Sequence, residues 1–253
     1  MTRELDVRES QGALAAEGAR RLVDLGRAAL AERGRFVLSV SGGATPAPLY
    51  DRLGEPGMAT RLDWSRVYLF WGDDRWVPHD HPDSNVRLVR EHWLARAPRP
   101  PGHVHPPPSG GPDPDRAARA YEATIRGALG VAPGDVPVFD LHVMGVGDDG
   151  HTASLFPGLP ALDETERLVV APFVPQVGGY RITLTLPVFN RAREVWMLVA
   201  GAHKAEVVRR VLAAADAPVG PDTPPAARIR PSQGRLVWLL DEAAAARLPD
   251  RLR

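Results

Sequence analysis

Short apolar runs alternate along the chain with longer stretches in which apolar residues recur at helical spacing. The apolar runs are bounded by turn-forming residues and predict strands. These runs are RFVLSV (35–40), RVYLFW (66–71), VFDLHVMGV (138–146), RLVVAPF, YRITLTLP, EVWMLVAG and RLVWLL (235–240). The stretches with helical spacing predict helices at 8–32, 46–53, 84–95, 115–129, 203–215 and from residue 241 onward.

This alternation favours an α/β fold. Strands that alternate with helices form an open, mostly parallel sheet with helices on both faces. We therefore expect a single Rossmann-like domain over residues 1–253, a length that suffices for one sizeable core. Ligands of such sheets bind beyond the carboxyl ends of the strands. The loops that leave such ends lie at 41–45, 72–85 and 145–158.

Three loop predictions accompany this fold. Thr45 is expected to cap the helix at 46–53, with Pro46 in the first helical position. The run GDDRWVPHDHPDS is rich in Pro, Asp and His, and it predicts a loop that ends where Ser84 starts a helix. The proline-rich segment 97–115 is expected to be a surface connection.

The composition excludes several kinds of site and partner. Lys plus Arg equals Asp plus Glu at 31 each, so the net charge gives no reason to expect a nucleic-acid or anionic-membrane partner. Cysteine is absent, which excludes disulfides, thiolate nucleophiles and cysteine-ligated metals. The N-terminal stretch lacks a continuous apolar region, and no run approaches the ~18 apolar residues of a membrane span. We expect a soluble, cytoplasmic protein.

The stretch GVGDDGHTASLFPG (145–158) has the G-x-G-x-x-G spacing of dinucleotide sites. Asp148 and Asp149 occupy its last two variable positions, where carboxylates would repel a pyrophosphate. Pro157 and Gly158 limit the following helix to about six residues. The spacing therefore does not favour a dinucleotide. For the isolated tetrad DDGH, a glycine-rich turn whose histidine caps a helix remains an alternative.

Three other segments offer groups that suit a phosphate. SVSGGATPAPLY follows the first predicted strand and presents successive backbone N–H groups from residues 42–45. Arg75 lies just after the end of the next predicted strand, and a guanidinium can bind a phosphate with two hydrogen bonds. Lys204 starts a helix, where a cation opposes the helix dipole unless it meets an anion. The respective alternatives are an ordinary turn, a loop arginine paired with Asp73 or Asp74, and a chance surface cation.

The run HDHPD (79–83) contains atoms that can ligate a metal. No spacing such as H-E-x-x-H specifies a site there, and two of its residues adjoin prolines, which favours a polar loop. His103 and His105 lie in the proline-rich segment and are expected at the surface. We therefore expect no metal site.

Several segments together resemble the 6-phosphogluconolactonases. They occur in the order typical of that family, span residues 8–246 and are SGGATPAPLY, WGDDRWVPHDHPDSNVRL, DLHVMGVGDDGHTASLFPG, YRITLTLP, GAHKA and GRLVWLLDEAAA. The family resembles the glucosamine-6-phosphate deaminases and ribose-5-phosphate isomerases in its sheet, which implies a sugar-phosphate isomerase-like fold. The resemblance implies hydrolysis of 6-phospho-D-glucono-1,5-lactone to 6-phosphogluconate in the oxidative pentose phosphate pathway, without a metal or an organic cofactor.

The chain departs from the pattern of this family at three places. Asp74 stands where the family more often has Glu, one methylene longer. QVGGY replaces a Pro-Pro-His-like run in the segment before RITLT, although Arg181 remains. The segment PPGHVHPPPSGG resembles a tolerated surface insertion.

The candidate site centres on His151. A neutral imidazole can take a proton from water near pH 7, so His151 is the expected base, with Asp149 orienting its ring. Ser154 lacks the G-x-S-x-G elbow of a nucleophilic serine, so direct attack by water is favoured. The expected substrate and phosphate contacts are Ser41, Gly42, Gly43, Asp74, Arg75, Asn85, Gly147, Arg181 and Lys204.

Two other functions stay open beside lactone hydrolysis. The shared fold permits a glucosamine-6-phosphate deaminase or sugar-phosphate isomerase, although deaminases continue the DGH loop differently from the TASLFPG of this chain. A non-catalytic sugar-phosphate sensor is the other, although the chain carries no helix-turn-helix segment and no basic patch for DNA. The group that stabilises the oxyanion is either a backbone N–H or a cation. The expected partner is a small sugar-phosphate substrate, and the protein itself is expected to be a monomer or a weak homodimer.

Overall fold

Two β-sheets and seven α-helices make up the part of the chain that the computed structural model describes, residues 2–249. The strands are β1 (Thr2–Arg8), β2 (Phe36–Val40), β3 (Val67–Trp71), β4 (Asp73–Arg75), β5 (His103–His105), β6 (Leu141–Met144), β7 (Val169–Val170), β8 (Phe173–Val174), β9 (Gly179–Leu184), β10 (Glu194–Val199) and β11 (Arg235–Asp241). The helices are α1 (Gln11–Arg33), α2 (Ala47–Leu53), α3 (Asn85–Val89), α4 (Pro114–Leu129), α5 (Leu186–Asn190), α6 (Ala205–Ala214) and α7 (Glu242–Ala245).

A seven-stranded sheet forms the centre, in the order β1-β11-β10-β6-β2-β3-β5. Each neighbouring pair in it is parallel. From β2 the chain continues through β3 to β5 at one edge, whereas from β6 it continues through β10 to β11 toward the other. The strand order therefore changes direction between β2 and β6. The loops that leave these two strands diverge, and such a point forms a crevice for a ligand.

Apolar side chains cover both faces of the central sheet. In β10, Val195, Met197 and Val199 belong to one buried cluster, and Trp196 and Leu198 belong to the other. This alternation follows from the two-residue period of a strand. Helices α1, α2 and α3 pack on the side of Trp196, and α4, α6 and α7 pack on the opposite side. The predicted α/β fold with helices on both faces is confirmed.

A second, smaller sheet is antiparallel and was not part of the prediction. It joins β4, β9 and β7 in that order, and β8 also pairs with β9. The loop predicted over GDDRWVPHDHPDS is therefore wrong for Asp73–Arg75, which form β4. Buried groups donate hydrogen bonds to the acidic side chains of this segment, which allows the segment to form a strand. YRITLTLP forms β9 as predicted, whereas the single strand predicted for RLVVAPF is divided into the two-residue strands β7 and β8; all three belong to this second sheet.

Both edge strands of the central sheet were also missed. β1 pairs with β11 along its whole length, and β5 pairs with β3. Edge strands bury less of their surface, so TRELDVR and HVH lack the apolar run that marks the inner strands. The segment 97–115 is thus more than a surface connection or insertion. A Cβ at Gly102 would lie 2.4 Å from the carbonyl oxygen of Ser65, and the ring of His103 stacks on Tyr68 at 4.0 Å.

The helix ends near the candidate site follow the sequence in part. Ser84 caps α3 as predicted, since its hydroxyl accepts two backbone N–H groups at 3.1 and 3.3 Å. The helix continues through a π-helical turn at Arg90–Leu94. Pro46, and not Thr45, is the N-cap of α2, and no side-chain capping bond forms there. Across residues 2–249, no helix combines the length and apolar character needed to cross a membrane.

Candidate active site

A cavity of about 540 Å³ opens at the carboxyl ends of the central strands. Its wall is formed mainly by β4 and by the loops that follow β2, β6 and β10, so it lies where the strand order changes direction. The predicted site residues that line it are Ser41, Gly42, Gly43, Arg75, Asn85, Gly147, His151 and Lys204. A larger cavity, of about 810 Å³, lies around Asp140 at the opposite ends of the strands and contains none of the predicted residues.

His151 is held by Asp149 in the loop that follows β6. Nδ1 of the imidazole lies 2.6 Å from Oδ1 of Asp149, and the same oxygen accepts the backbone N–H of His151 at 2.9 Å. The ring also stacks on Phe156, with centroids 4.0 Å apart. A carboxylate partner keeps the proton on Nδ1, which leaves the lone pair on Nε2. This contact is the one that the predicted orientation of His151 by Asp149 requires.

The glycines of this loop make room for the imidazole. A Cβ at Gly147 would lie 2.0 Å from Cε1 of His151, and the N–H of Gly147 donates to the carbonyl of His151 at 2.8 Å. Gly150 has φ +92°, a conformation that favours glycine. The short helix predicted after Gly150 does not form, because residues 151–158 make turns and Ala153 has φ +48°. The glycine spacing thus serves a tight turn around His151.

The loop after β2 packs against Asn85. A Cβ at Gly42 would lie 1.8 Å from Oδ1 of Asn85, so only glycine allows this approach. The Asn85 amide donates to the backbone carbonyl of Asp73 at 3.0 Å. Oγ of Ser41 and Oδ1 of Asn85 are buried, and neither has a hydrogen-bond partner within the described residues. Because both residues line the cavity, these two oxygens are available to a polar ligand.

Two predicted cations line the cavity and a third does not. The guanidinium of Arg75 donates to the carbonyl of Asp83, rather than pairing with the adjacent acidic side chains. The ammonium of Lys204 lies 2.6 Å from Oδ1 of Asp148. Arg181 faces Arg75 across the β4–β9 pair and lies outside the cavity wall. Burial and the nearby Arg75 charge both lower the pKa of Arg181.

Asp74 also lies behind the wall and not in it. Its carboxylate is 1% exposed and accepts the backbone N–H groups of Arg75 at 2.8 Å and Asn85 at 2.6 Å. The hydroxyl of Ser84 donates to its other oxygen at 3.1 Å. Burial raises the pKa of Asp74 to about 6. The shorter side chain thus finds three donors, and Asp74 is absent from the cavity lining, so its contact with a substrate stays a prediction.

Polar residues that line the cavity but were not among the predicted contacts include Gln11, Asp73, Asp148, His203 and Asp241. Gln11 donates to the carbonyl of Ala44 at 3.2 Å, which ties the start of α1 to the loop after β2. Asp241 ends β11, and its position at a strand end was a usable signal. No local pattern marks Gln11, because α1 reaches the cavity only through tertiary packing.

The side chains of the histidine-rich run HDHPD contact neighbouring loop residues. Nε2 of His79 bonds the carbonyl of Pro107 at 2.9 Å, and His81 lies 3.8 Å from the carboxylate of Asp83. Nowhere in the described range do three or more His, Asp or Glu side chains form a group that could hold a metal ion.

The geometry is accompanied by a clear family relationship. The model of the family described as glucosamine-6-phosphate isomerases/6-phosphogluconolactonase matches residues 9–238. The chain belongs to this family. A 6-phosphogluconolactonase of Synechocystis sp. is 43% identical over 220 residues, which cover 87% of this chain and 88% of the relative. The resemblance that the sequence motifs indicated is therefore confirmed.

Solved structures of family members share the fold of this chain. The 6-phosphogluconolactonase from Trypanosoma brucei is 31% identical and has a TM-score of 0.83, with 98% of this chain and 99% of that chain covered. A monomeric glucosamine-6-phosphate deaminase is 19% identical and has a TM-score of 0.77, with 99% and 100% covered. Since both kinds of enzyme share the fold, the choice between their reactions depends on the site residues.

Proposed function

We propose that the chain is a 6-phosphogluconolactonase, a carboxylic ester hydrolase of the oxidative pentose phosphate pathway. The observation that carries the proposal is the His151–Asp149 pair, whose histidine lines a cavity that also presents Arg75 and Lys204. A base and two cations in one crevice suit a substrate with an electrophilic carbonyl at one end and a phosphate at the other. The names of the Synechocystis and Trypanosoma relatives support the same reaction.

His151 activates the attacking water in this proposal. Nε2 takes a proton from water while the water oxygen bonds to the carbonyl carbon of the lactone. The tetrahedral intermediate collapses with cleavage of the bond between that carbon and the ring oxygen. The imidazolium returns its proton to the ring oxygen, which becomes a hydroxyl, and the acid product loses a proton to solvent. General-base assistance of this kind accelerates a reaction by roughly 10²–10⁴-fold.

We assign the phosphate to the cationic part of the cavity. Arg75, Lys204 and the backbone N–H groups of Gly42 and Gly43 are its partners, and Arg181 adds positive charge from behind Arg75. The unpaired oxygens of Ser41 and Asn85 suit the hydroxyl groups of the sugar. Binding of the remote phosphate then orients the carbonyl over His151, which converts binding energy into rate.

The direct test supplies freshly prepared 6-phosphogluconolactone and follows acid release against the spontaneous rate. We expect the purified protein to accelerate hydrolysis, and His151→Ala to remove most of the acceleration while calorimetry still detects binding of inorganic phosphate. No acceleration by the wild-type protein would contradict the proposal. Ammonia release from glucosamine 6-phosphate would indicate a deaminase instead, and tight sugar-phosphate binding without turnover would indicate a sensor.

The proposal includes the setting in which the enzyme works. A cytoplasmic location and a monomeric or weakly dimeric state are inferences from the sequence. Light scattering across a range of protein concentrations measures the second, and a stable higher oligomer would contradict it.

A further inference from the structure

The lining of the candidate active site holds more carboxylates than cations. In the described lining, two cations, Arg75 and Lys204, stand beside three carboxylates, Asp73, Asp148 and Asp241. A phosphate ester that enters this cavity would meet more negative than positive formal charge. Whether Arg75 and Lys204 are free to bind a phosphate therefore depends on the groups to which each carboxylate is bound.

Two of the three carboxylates are occupied by donors of the protein itself. Asp73 is 7% exposed and accepts the hydroxyl of Ser154 at 2.6 Å. Asp241 is 6% exposed and accepts the backbone N–H of Gly201 at 3.0 Å and that of Ala244 at 2.7 Å. These bonds stabilise the two charges in place, so neither carboxylate has to engage a cation of the cavity.

Asp148 is arranged differently. Its side chain is 80% exposed, and its carboxylate lies 2.6 Å from the ammonium of Lys204, whose side chain is only 16% exposed. The hydrogen bond from Lys204 lowers the pKa of Asp148, so the carboxylate is charged at neutral pH. Within residues 2–249, Asp148 is the only side chain that forms a salt bridge with Lys204. The cation that we assign to the phosphate is therefore already paired.

We propose that Asp148 is an internal competitor that the substrate phosphate must displace from Lys204, and that it thereby sets the KM of the enzyme. This inference rests on the proposed function and deepens it. Displacement costs little because the Asp148 side chain is 80% exposed, so water competes for its carboxylate and weakens the pair. Arg210 donates to the backbone carbonyl of Asp148 at 3.2 Å, so a second cation adjoins the displaced side chain.

The test compares Asp148→Asn and Asp148→Ala with the wild-type enzyme. We expect KM for the lactone to fall roughly two- to fivefold, the range of an ion pair that is weakened by solvent at one partner, while kcat stays within about twofold. Inorganic phosphate, used as a competitive inhibitor, should bind more tightly by the same factor. Asp163→Asn is the matched control, because Asp163 is 82% exposed and pairs with Arg228 at 3.3 Å outside the cavity. It should leave KM unchanged.

The Lys204→Ala background separates competition for the lysine from a general effect of charge. There, Asp148→Asn should no longer lower KM; an equal fall without Lys204 would overturn the inference. An unchanged or raised KM in both Asp148 variants would also overturn it, since Asp148 would then be neutral or would position the lysine. If the wild-type protein does not hydrolyse the lactone, the proposed function fails, and calorimetry with inorganic phosphate still tests whether Asp148→Asn strengthens anion binding.

Discussion

The hydroxyl of Ser154 donates a 2.6 Å hydrogen bond to Oδ2 of Asp73, and both side chains are buried. This bond joins the histidine loop to β4 across 81 positions of sequence. Ala153 lines the cavity whereas Ser154 does not. A serine nucleophile has to face the substrate and a base. Ser154 therefore supports the wall of the site, which agrees with direct attack by water on the lactone.

Ser154→Ala should preserve most of the activity and weaken the fold. We expect kcat to stay within about tenfold of wild type, and the free energy of unfolding to fall by about 1–3 kcal/mol, because Asp73 loses a buried donor. Lactone hydrolysis and urea unfolding measure the two effects. Ser65→Ala removes an exposed hydroxyl that donates to Asp63 at 2.6 Å, and should change neither quantity appreciably. A loss of activity as large as that of His151→Ala would indicate that Ser154 takes part in the chemistry.

Variants of the His151–Asp149 pair should rank in a definite order. His151→Ala removes the base and should lower kcat by about 10²–10⁴-fold. Asp149→Ala removes the partner of Nδ1 and should cost less, and Asp149→Asn should cost least, because its amide oxygen can still accept from the ring. Steady-state rates corrected for spontaneous hydrolysis give the order, and thermal melts confirm that each variant is folded. Full activity in Asp149→Ala would show that the carboxylate does not position the ring.

Gly147→Ala tests the close approach of the loop to the imidazole. The new methyl group would lie 2.0 Å from the ring of His151, so the ring must move. A displacement of about 1 Å in a catalytic group costs about 10²-fold in rate, and we expect a loss of that order in kcat. Gly127→Ala in α4 is the control, because nothing lies within 4 Å of its Cβ. It should retain full activity; comparable losses in the two variants would contradict the steric argument.

Asp74 should make the stability of the protein depend on pH. Burial raises its pKa from 3.8 to about 6, so the folded protein holds this proton more tightly than the unfolded chain. The contribution of protonated Asp74 to the free energy of unfolding is fully present below pH 3.8 and is lost as pH rises through 6. The difference corresponds to about 3 kcal/mol. Urea unfolding between pH 4 and 7 should therefore show a smaller decline in Asp74→Asn than in wild type, and equal declines would contradict the assignment.

The inner strands of the central sheet were predictable because both of their faces are buried. Every residue of β2 and β10 is buried, and a strand covered on both sides reads as a continuous apolar run. The pairing of His151 with Asp149 was predictable for a related reason, since two residues that are adjacent in a turn meet without help from the rest of the chain.

The remaining strands carry no such signal. β1 and β5 lie at sheet edges. β4 is the acidic segment Asp73–Arg75, and its carboxylates accept hydrogen bonds from groups in other segments of the chain. Partners distant in sequence also explain why Asp74 and Arg181, which were predicted to contact the ligand, lie outside the cavity lining. Neither residue type nor spacing specifies which side of a short strand will face a ligand.

Apolar periodicity therefore determined the α/β architecture, and local motifs carried the family resemblance and the histidine loop, because each depends on residues close in sequence. The order of the strands decided the rest. It places β6 beside β10, which brings Lys204 to Asp148, and it places β2 beside β3, which brings Asn85 against Gly42. A charged side chain acquires its partner only when the sheet is assembled, and so the electrostatics of this site belong to the tertiary structure.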